Sequence, residues 1–198
     1  MTEAVMLYYA HPSRAAMTRL LLEELGAPYD LATLDLKAGD QLKPDYLAVN
    51  PMGKVPAIRH RGAVVTETAA IFIYLADAFA SAGLAPALDD PARGPYLRWI
   101  VFYAAAFEPA MVDRARKLDP GPRPMSPYGD LASVERAVEA MLTPGPYILG
   151  ERFSAADVLW GAALTWMTAF GMAPASDKVK AYIARHAERA AVRKLAQG

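Results

Sequence analysis

The chain has 198 residues, 54% of them hydrophobic, with 21 basic and 21 acidic side chains and no cysteine. That length and apolar content suffice for one large domain or two small ones with separate cores, and they exclude global disorder. The balanced charge lacks the basic excess of a nucleic-acid binder, and the missing cysteines exclude disulfides, a cysteine nucleophile, a CxxC redox pair and thiolate metal sites.

Residues 5–10, VMLYYA, are a short apolar and aromatic run that predicts a strand. Residues 13–26 predict a helix with Ser13 as N-cap and Gly26 as its stop. A second strand is expected over 28–36, then a loop with a turn of helix. Two short strands around Arg61-Gly62 follow as a hairpin, and a helix over 66–80. The order is β-α-β-loop-β-β-α. Residues 81–95, rich in Ala, Gly, Pro and Asp, predict a linker. Beyond it the pattern is helical throughout: 96–118, which Pro109 should kink or end, 131–143, a buried helix from Ser154 onward, and a last helix over 177–197. The expected domains are an α/β one over 1–80 and an all-α one over 96–198.

Residues 158–176 run for 19 positions without a charge, close to membrane-spanning length. They contain Gly161, Thr165, Gly171 and Pro174 and begin at a helix cap, so a helix buried in an α-rich core is the better reading. The first ten residues carry Glu3 and lack the basic region of a secretory signal. A soluble, cytoplasmic protein that binds neither nucleic acid nor membrane is expected.

GxGxxG, Walker A, HExxH and GxSxG strings are absent, and His11, His60 and His186 are scattered, so no metal site is expected. Pro56 stands at the mouth of a predicted strand, where it gives up a backbone donor. Glu67 and Thr68 stand at a helix start, where capping alone would favour them. Ser154 and Asp157 have capping-box spacing, a structural motif.

In "LYYAHPSRAAMTRLLLEELGAPY", "LAVNPMGKVPAI", "TETAAIFIYL" and "ERFSAADVLWGAAL", in that order and spacing, the chain resembles the glutathione S-transferase family over almost its whole length. The resemblance implies a thioredoxin-like α/β N-terminal domain plus an all-α C-terminal domain. Within the family, theta/zeta-like enzymes of bacterial type are the nearest pattern. It further implies a cis Pro56, with Val55 N–H and C=O pairing with the cysteinyl backbone of glutathione as a short added strand. Glu67 and Thr68 would grip the γ-glutamyl end; Thr68 stands where serine is usual. Lys54 and Gln41 would serve the glycyl carboxylate, or be solvated loop residues.

Two hydroxyls compete for the glutathione thiol. Ser13 matches the serine of theta-like relatives, and Tyr8 matches the catalytic tyrosine of other classes; Arg14 adds positive potential beside both. The implied activity is conjugation of the glutathione thiolate to a small hydrophobic electrophile, without metal or redox cofactor, by a detoxifying homodimer. Tyr103, Phe107 and Met111 would line the electrophile cleft or, equally, pack in the core. A glutathione-dependent isomerase or dehalogenase, or a non-enzymatic binding module, are the alternatives on the same scaffold.

Overall fold

The computed structural model describes residues 3–173 and 175–197, so Met1, Thr2, Pro174 and Gly198 lie outside the described residues. The chain divides into two units, Met1–Ala82 and Gly83–Gly198. The division falls within the expected linker, but that linker is shorter than its composition suggests. A helix beginning at Arg93 takes up its last residues.

In the first unit β1 (Val5–Tyr9) leads into α1 (Ala15–Leu25), β2 (Tyr29–Thr33), a short α2 (Pro44–Leu47), β3 (Ala57–His60), β4 (Ala63–Thr66) and α3 (Thr68–Ala78). The sheet order is β2-β1-β3-β4. β1 pairs parallel with β2 across the α1 crossover, and antiparallel with β3, which pairs antiparallel with β4. Val5, Leu7 and Tyr9 are buried while Met6 and Tyr8 are half-buried, the period of two expected of a central strand.

Local chemistry sets the ends of these elements. Helix α1 stops at Gly26, whose φ of 61° places it in the left-handed region. Gly26 N–H donates to Glu23 O and Ala27 N–H to Leu22 O, closing a Schellman motif. The β3–β4 hairpin turns on Arg61 and Gly62, with φ of 51° and 76°, the paired positive values of a type I′ turn. Helix α3 buries Ile71, Phe72, Leu75 and Ala76 completely, a stripe at helical spacing. Each of the three large side chains contributes about 1.5–3 kcal/mol. α1 packs on β1 and on α3, which packs in turn on β3 and β4.

The second unit is helical: α4 (Arg93–Phe102), a π-helical segment (Tyr103–Phe107), α5 (Glu108–Arg116), α6 (Leu131–Met141), α7 (Ala155–Ala169), α8 (Asp177–Ala187) and α9 (Ala190–Ala196). Pro109 is accommodated by a π-helical interruption of the helix expected over 96–118. It lies in the first turn of α5, directly after the π turn. An α-helical Pro109 would press its ring on the carbonyl four residues back and leave it without a donor, and the wider turn relieves that conflict.

The last helix is not continuous either. Arg189 is extended, with ψ of 141°, and its guanidinium lies 3.4 Å from the Phe153 ring centroid, so α8 and α9 separate there.

The charge-free run forms α7, which is buried on nearly every side and ends at Ala169. Trp160, fully enclosed, packs on Phe107 at 4.7 Å, Tyr103 at 6.0 Å and Phe102 at 6.2 Å between ring centroids. Its indole N–H donates to Trp99 O at 2.9 Å. Among the described residues, no helix is long and apolar enough to cross a membrane.

Candidate functional site

The register of the sheet gathers three junctions at one end. Tyr8 lies opposite Ala57, and Ala57 opposite Thr66. β1 runs toward this end, β3 starts there and β4 returns to it. The loop with Ser13, the segment Lys54-Val55-Pro56 and the start of α3 at Glu67-Thr68 therefore lie at the same edge of the sheet, though far apart in sequence.

The middle junction is tightly held. The Val55–Pro56 peptide bond is cis. Tyr46 Oη donates to Lys54 O at 2.5 Å and Asn50 Nδ2 donates to the same oxygen at 2.8 Å. Asn50 Oδ1 accepts from Met52 N–H at 3.1 Å, an Asx turn, and Gly53 N–H returns to Asn50 O at 2.9 Å. Gly53 has φ of 60°, and a Cβ there would stand 3.0 Å from Gln41 O and 3.0 Å from the Leu42 side chain, so the turn admits only glycine. Val55 itself is half-buried, and neither its N–H nor its C=O has a hydrogen-bond partner among the described residues. Lys54 is exposed. Gln41 lies against Gly53; its Nε2 donates to Leu36 O at 3.4 Å and its enclosed Oε1 accepts nothing.

At the third junction capping is not what Glu67 and Thr68 do. Glu67 occupies the N-cap of α3 with no side-chain cap hydrogen bond. Its φ of 67° costs a non-glycine residue on the order of 1–3 kcal/mol. Ile71 N–H is the first amide of the helix to find a backbone acceptor, Glu67 O at 2.9 Å. The N–H groups of Thr68, Ala69 and Ala70 stay open at the positive end of an 11-residue helix, an arrangement that suits an anion.

Ser13 stands one residue before the N-cap of α1, a position Arg14 takes without a side-chain cap. Ser13 Oγ donates to Ala10 O at 2.6 Å and accepts from Ala15 N–H at 3.1 Å. The preceding His11–Pro12 bond is also cis, which nothing local in the sequence announces. Tyr8 is half-buried, with its ring edge-on to Tyr46 at 5.5 Å. The Tyr8 hydroxyl has no hydrogen-bond partner among the described residues. Burial pushes the Tyr46 phenol up to about 12, so it remains a donor at any ordinary pH.

The expected cleft residues are placed otherwise. Tyr103, Phe107 and Met111 are 0%, 1% and 0% exposed. The two rings form part of the aromatic cluster around Trp160. Packing occupies these side chains, which corrects their assignment as cleft lining.

The Ser154–Asp157 box is structural and more than a cap. Asp157, 1% exposed, accepts from Ser154 N–H at 2.9 Å, Ser154 Oγ at 2.8 Å, Ile148 N–H at 2.8 Å and Tyr182 Oη at 2.9 Å. Burial pushes its carboxyl upward, against the pull of the hydrogen bonds from Ile148, Ser154 and Tyr182. No group of three or more His, Cys, Asp or Glu side chains among the described residues could hold a metal.

A four-stranded α/β unit of this topology, with a cis proline at the mouth of β3 and followed by a helical unit, defines a thioredoxin-like domain joined to an all-α domain. The family described as glutathione S-transferase, N-terminal domain, matches residues 4–77. Over 186 residues, the chain is 27% identical to glutathione S-transferase GstA of Escherichia coli O157:H7, covering 92% of each. It is similar to a crystal structure of a glutathione transferase homolog from Sulfitobacter with bound glutathione. That match has a TM-score of 0.79 and 27% identity, and covers 98% of this chain and 97% of the other. A glutathione transferase from Methylococcus capsulatus strain Bath matches with a TM-score of 0.81 and 27% identity over 98% of each chain. The chain belongs to the glutathione S-transferase family.

Proposed function

We propose that this protein is a glutathione transferase that binds glutathione at the end of the sheet in its first unit and joins the thiolate sulfur to a small hydrophobic electrophile. One observation carries the reading. An unpaired N–H and C=O on Val55 and three open amides at the start of α3 converge at the edge of the sheet that also holds Ser13 and Tyr8. A peptide with a free carboxylate matches that pattern: its backbone adds to Val55 as a short strand, and its γ-glutamyl carboxylate takes the Thr68 hydroxyl and the helix amides. Glu67 takes the ammonium. Lys54 and Gln41 serve the glycyl end.

The chemistry then needs a thiolate. A free thiol has a pKa of roughly 8.5, so only a few per cent is ionised at neutral pH. The Ser13 hydroxyl supplies the stabilising donor. It leaves Ala10 O for the charged sulfur, a stronger acceptor, while Ala15 N–H on its oxygen strengthens it as a donor. The thiol proton passes to solvent, the sulfur–carbon bond forms, and the leaving group departs with its bonding pair. Arg14 adds positive potential. A second reading gives the sulfur to Tyr8, because its hydroxyl needs no release from an internal partner. A cytoplasmic, detoxifying homodimer completes the proposal. The open groove lined by Val65, Ala70, Ile73 and Tyr74 supplies apolar surface that such an assembly would cover.

Titration calorimetry with glutathione tests the site. Glu67→Ala and Thr68→Val each leave a polar ligand group without its partner and should weaken binding by about 1–3 kcal/mol. Wild-type affinity in both would return this pair to a purely structural role. Turnover of a chlorinated nitroaromatic tests the reaction; tight glutathione binding without turnover of any electrophile would instead mark a binding module.

A further inference from the structure

The most closely held carbonyl near the site belongs to Lys54, one residue before the contact that the glutathione reading assigns to Val55. Tyr46 and Asn50, only 4% and 3% exposed, both spend a side-chain donor on that single oxygen. This fills both of its lone pairs. A core needs no such convergence to stay folded, and one donor would have satisfied the carbonyl.

The geometry of the peptide bond gives the convergence a use. Lys54 C=O and Val55 N–H belong to one planar trans peptide, so they point in opposite directions. Two donors that pin the oxygen from the protein side fix the plane, and the N–H must then face away from the protein interior. Hydrogen bonds to a carbonyl also polarise the whole amide and make its N–H a stronger donor. We propose that Tyr46 and Asn50 are positioning residues that aim and strengthen the Val55 N–H for the cysteinyl backbone of glutathione. This inference rests on the glutathione-binding reading above.

Tyr46 is anchored for the task. It sits on α2, and its ring meets the edge of Tyr8 at 5.5 Å. Its phenol stays protonated across the working pH range, so the donor is never lost. Asn50 is held by the Asx turn through its other side-chain atom, Oδ1.

The test compares wild type, Tyr46→Phe, Asn50→Asp and the double variant. Phenylalanine keeps the ring and its contact with Tyr8. Aspartate keeps the acceptor for Met52 N–H and puts a carboxylate oxygen, which repels Lys54 O, where the amide donor stood. Each single variant should raise the dissociation constant and KM for glutathione about three- to tenfold. The double variant should exceed the product of the singles, because one donor partly covers for the other. Both kcat at saturating glutathione and the pKa of the bound thiol should stay within about twofold and a few tenths of wild type, since sulfur is held elsewhere.

Wild-type KM in all three variants overturns the inference while leaving glutathione binding standing. So does a fall in kcat and melting temperature at unchanged KM, which would make the clamp structural only. Failure of the wild-type protein itself to bind glutathione at millimolar concentration would overturn the functional reading first, and this inference with it.

Discussion

Asp157→Ala should lower the stability of the second unit by on the order of 3 kcal/mol, with a drop in melting temperature on the order of 10 °C. A simple N-cap is worth about 0.5–2 kcal/mol. The larger figure follows from what the carboxylate holds. Besides the first turn of α7 it binds Ile148 N–H, from the turn before the helix, and Tyr182 Oη, from α8. Truncation strands these donors in a buried place, where each costs about 1–3 kcal/mol. Asp157→Asn should lose less, because one acceptor oxygen survives. Glutathione affinity should be unchanged in both, as Asp157 belongs to the core of the helical unit. A melting temperature within a degree or two of wild type would show that the network is dispensable.

Ser13→Ala should raise the pKa of enzyme-bound glutathione by about one to two units, the worth of one hydrogen bond to a charged acceptor. Raising the pKa of an acid reduces its ionised fraction at neutral pH, so turnover there should fall about tenfold or more and recover toward wild type at alkaline pH. Affinity for glutathione should fall only severalfold at neutral pH, because the hydroxyl touches only sulfur and the thiol form binds as before. Tyr8→Phe is the matched control, removing an unpaired hydroxyl while keeping the ring against Tyr46. Thiolate absorbance of the complex against pH separates the two. A shift in Tyr8→Phe with none in Ser13→Ala transfers the role to the tyrosine, and no shift in either leaves Arg14 and backbone donors.

Features specified by neighbours in sequence were legible before any coordinates. Gly26 ends α1, Arg61-Gly62 turns the hairpin, and Ser154 with Asp157 starts α7, each within a few residues of its partners. The α/β-then-α order followed from where strand periodicity stops. Features that depend on distant partners were not legible.

The phase change before Pro109 and the break at Arg189 come from accommodating a missing donor and from a ring elsewhere in the fold. Tyr103, Phe107 and Met111 read equally as core or cleft because apolar side chains carry no mark of which surface will cover them. Tyr46 gave no sign at all. Its use lies in a carbonyl eight residues away, reached only after the chain has folded back.

The aromatic cluster around Trp160 makes the two units optically distinct. All three tryptophans, Trp99, Trp160 and Trp166, belong to the Gly83–Gly198 unit, whereas the other unit carries only tyrosine and phenylalanine rings. Indole emission during a melt therefore follows the helical unit alone, beginning blue-shifted from the enclosed Trp160 and moving red as the cluster opens. Circular dichroism follows both units, and the gap between the two traces measures how independently they unfold. With no cysteine in the chain, every thiolate band in a spectrum of the complex belongs to the ligand. One cuvette can then report the state of the helical core through indole and the ionisation of bound glutathione through sulfur, without labelling either.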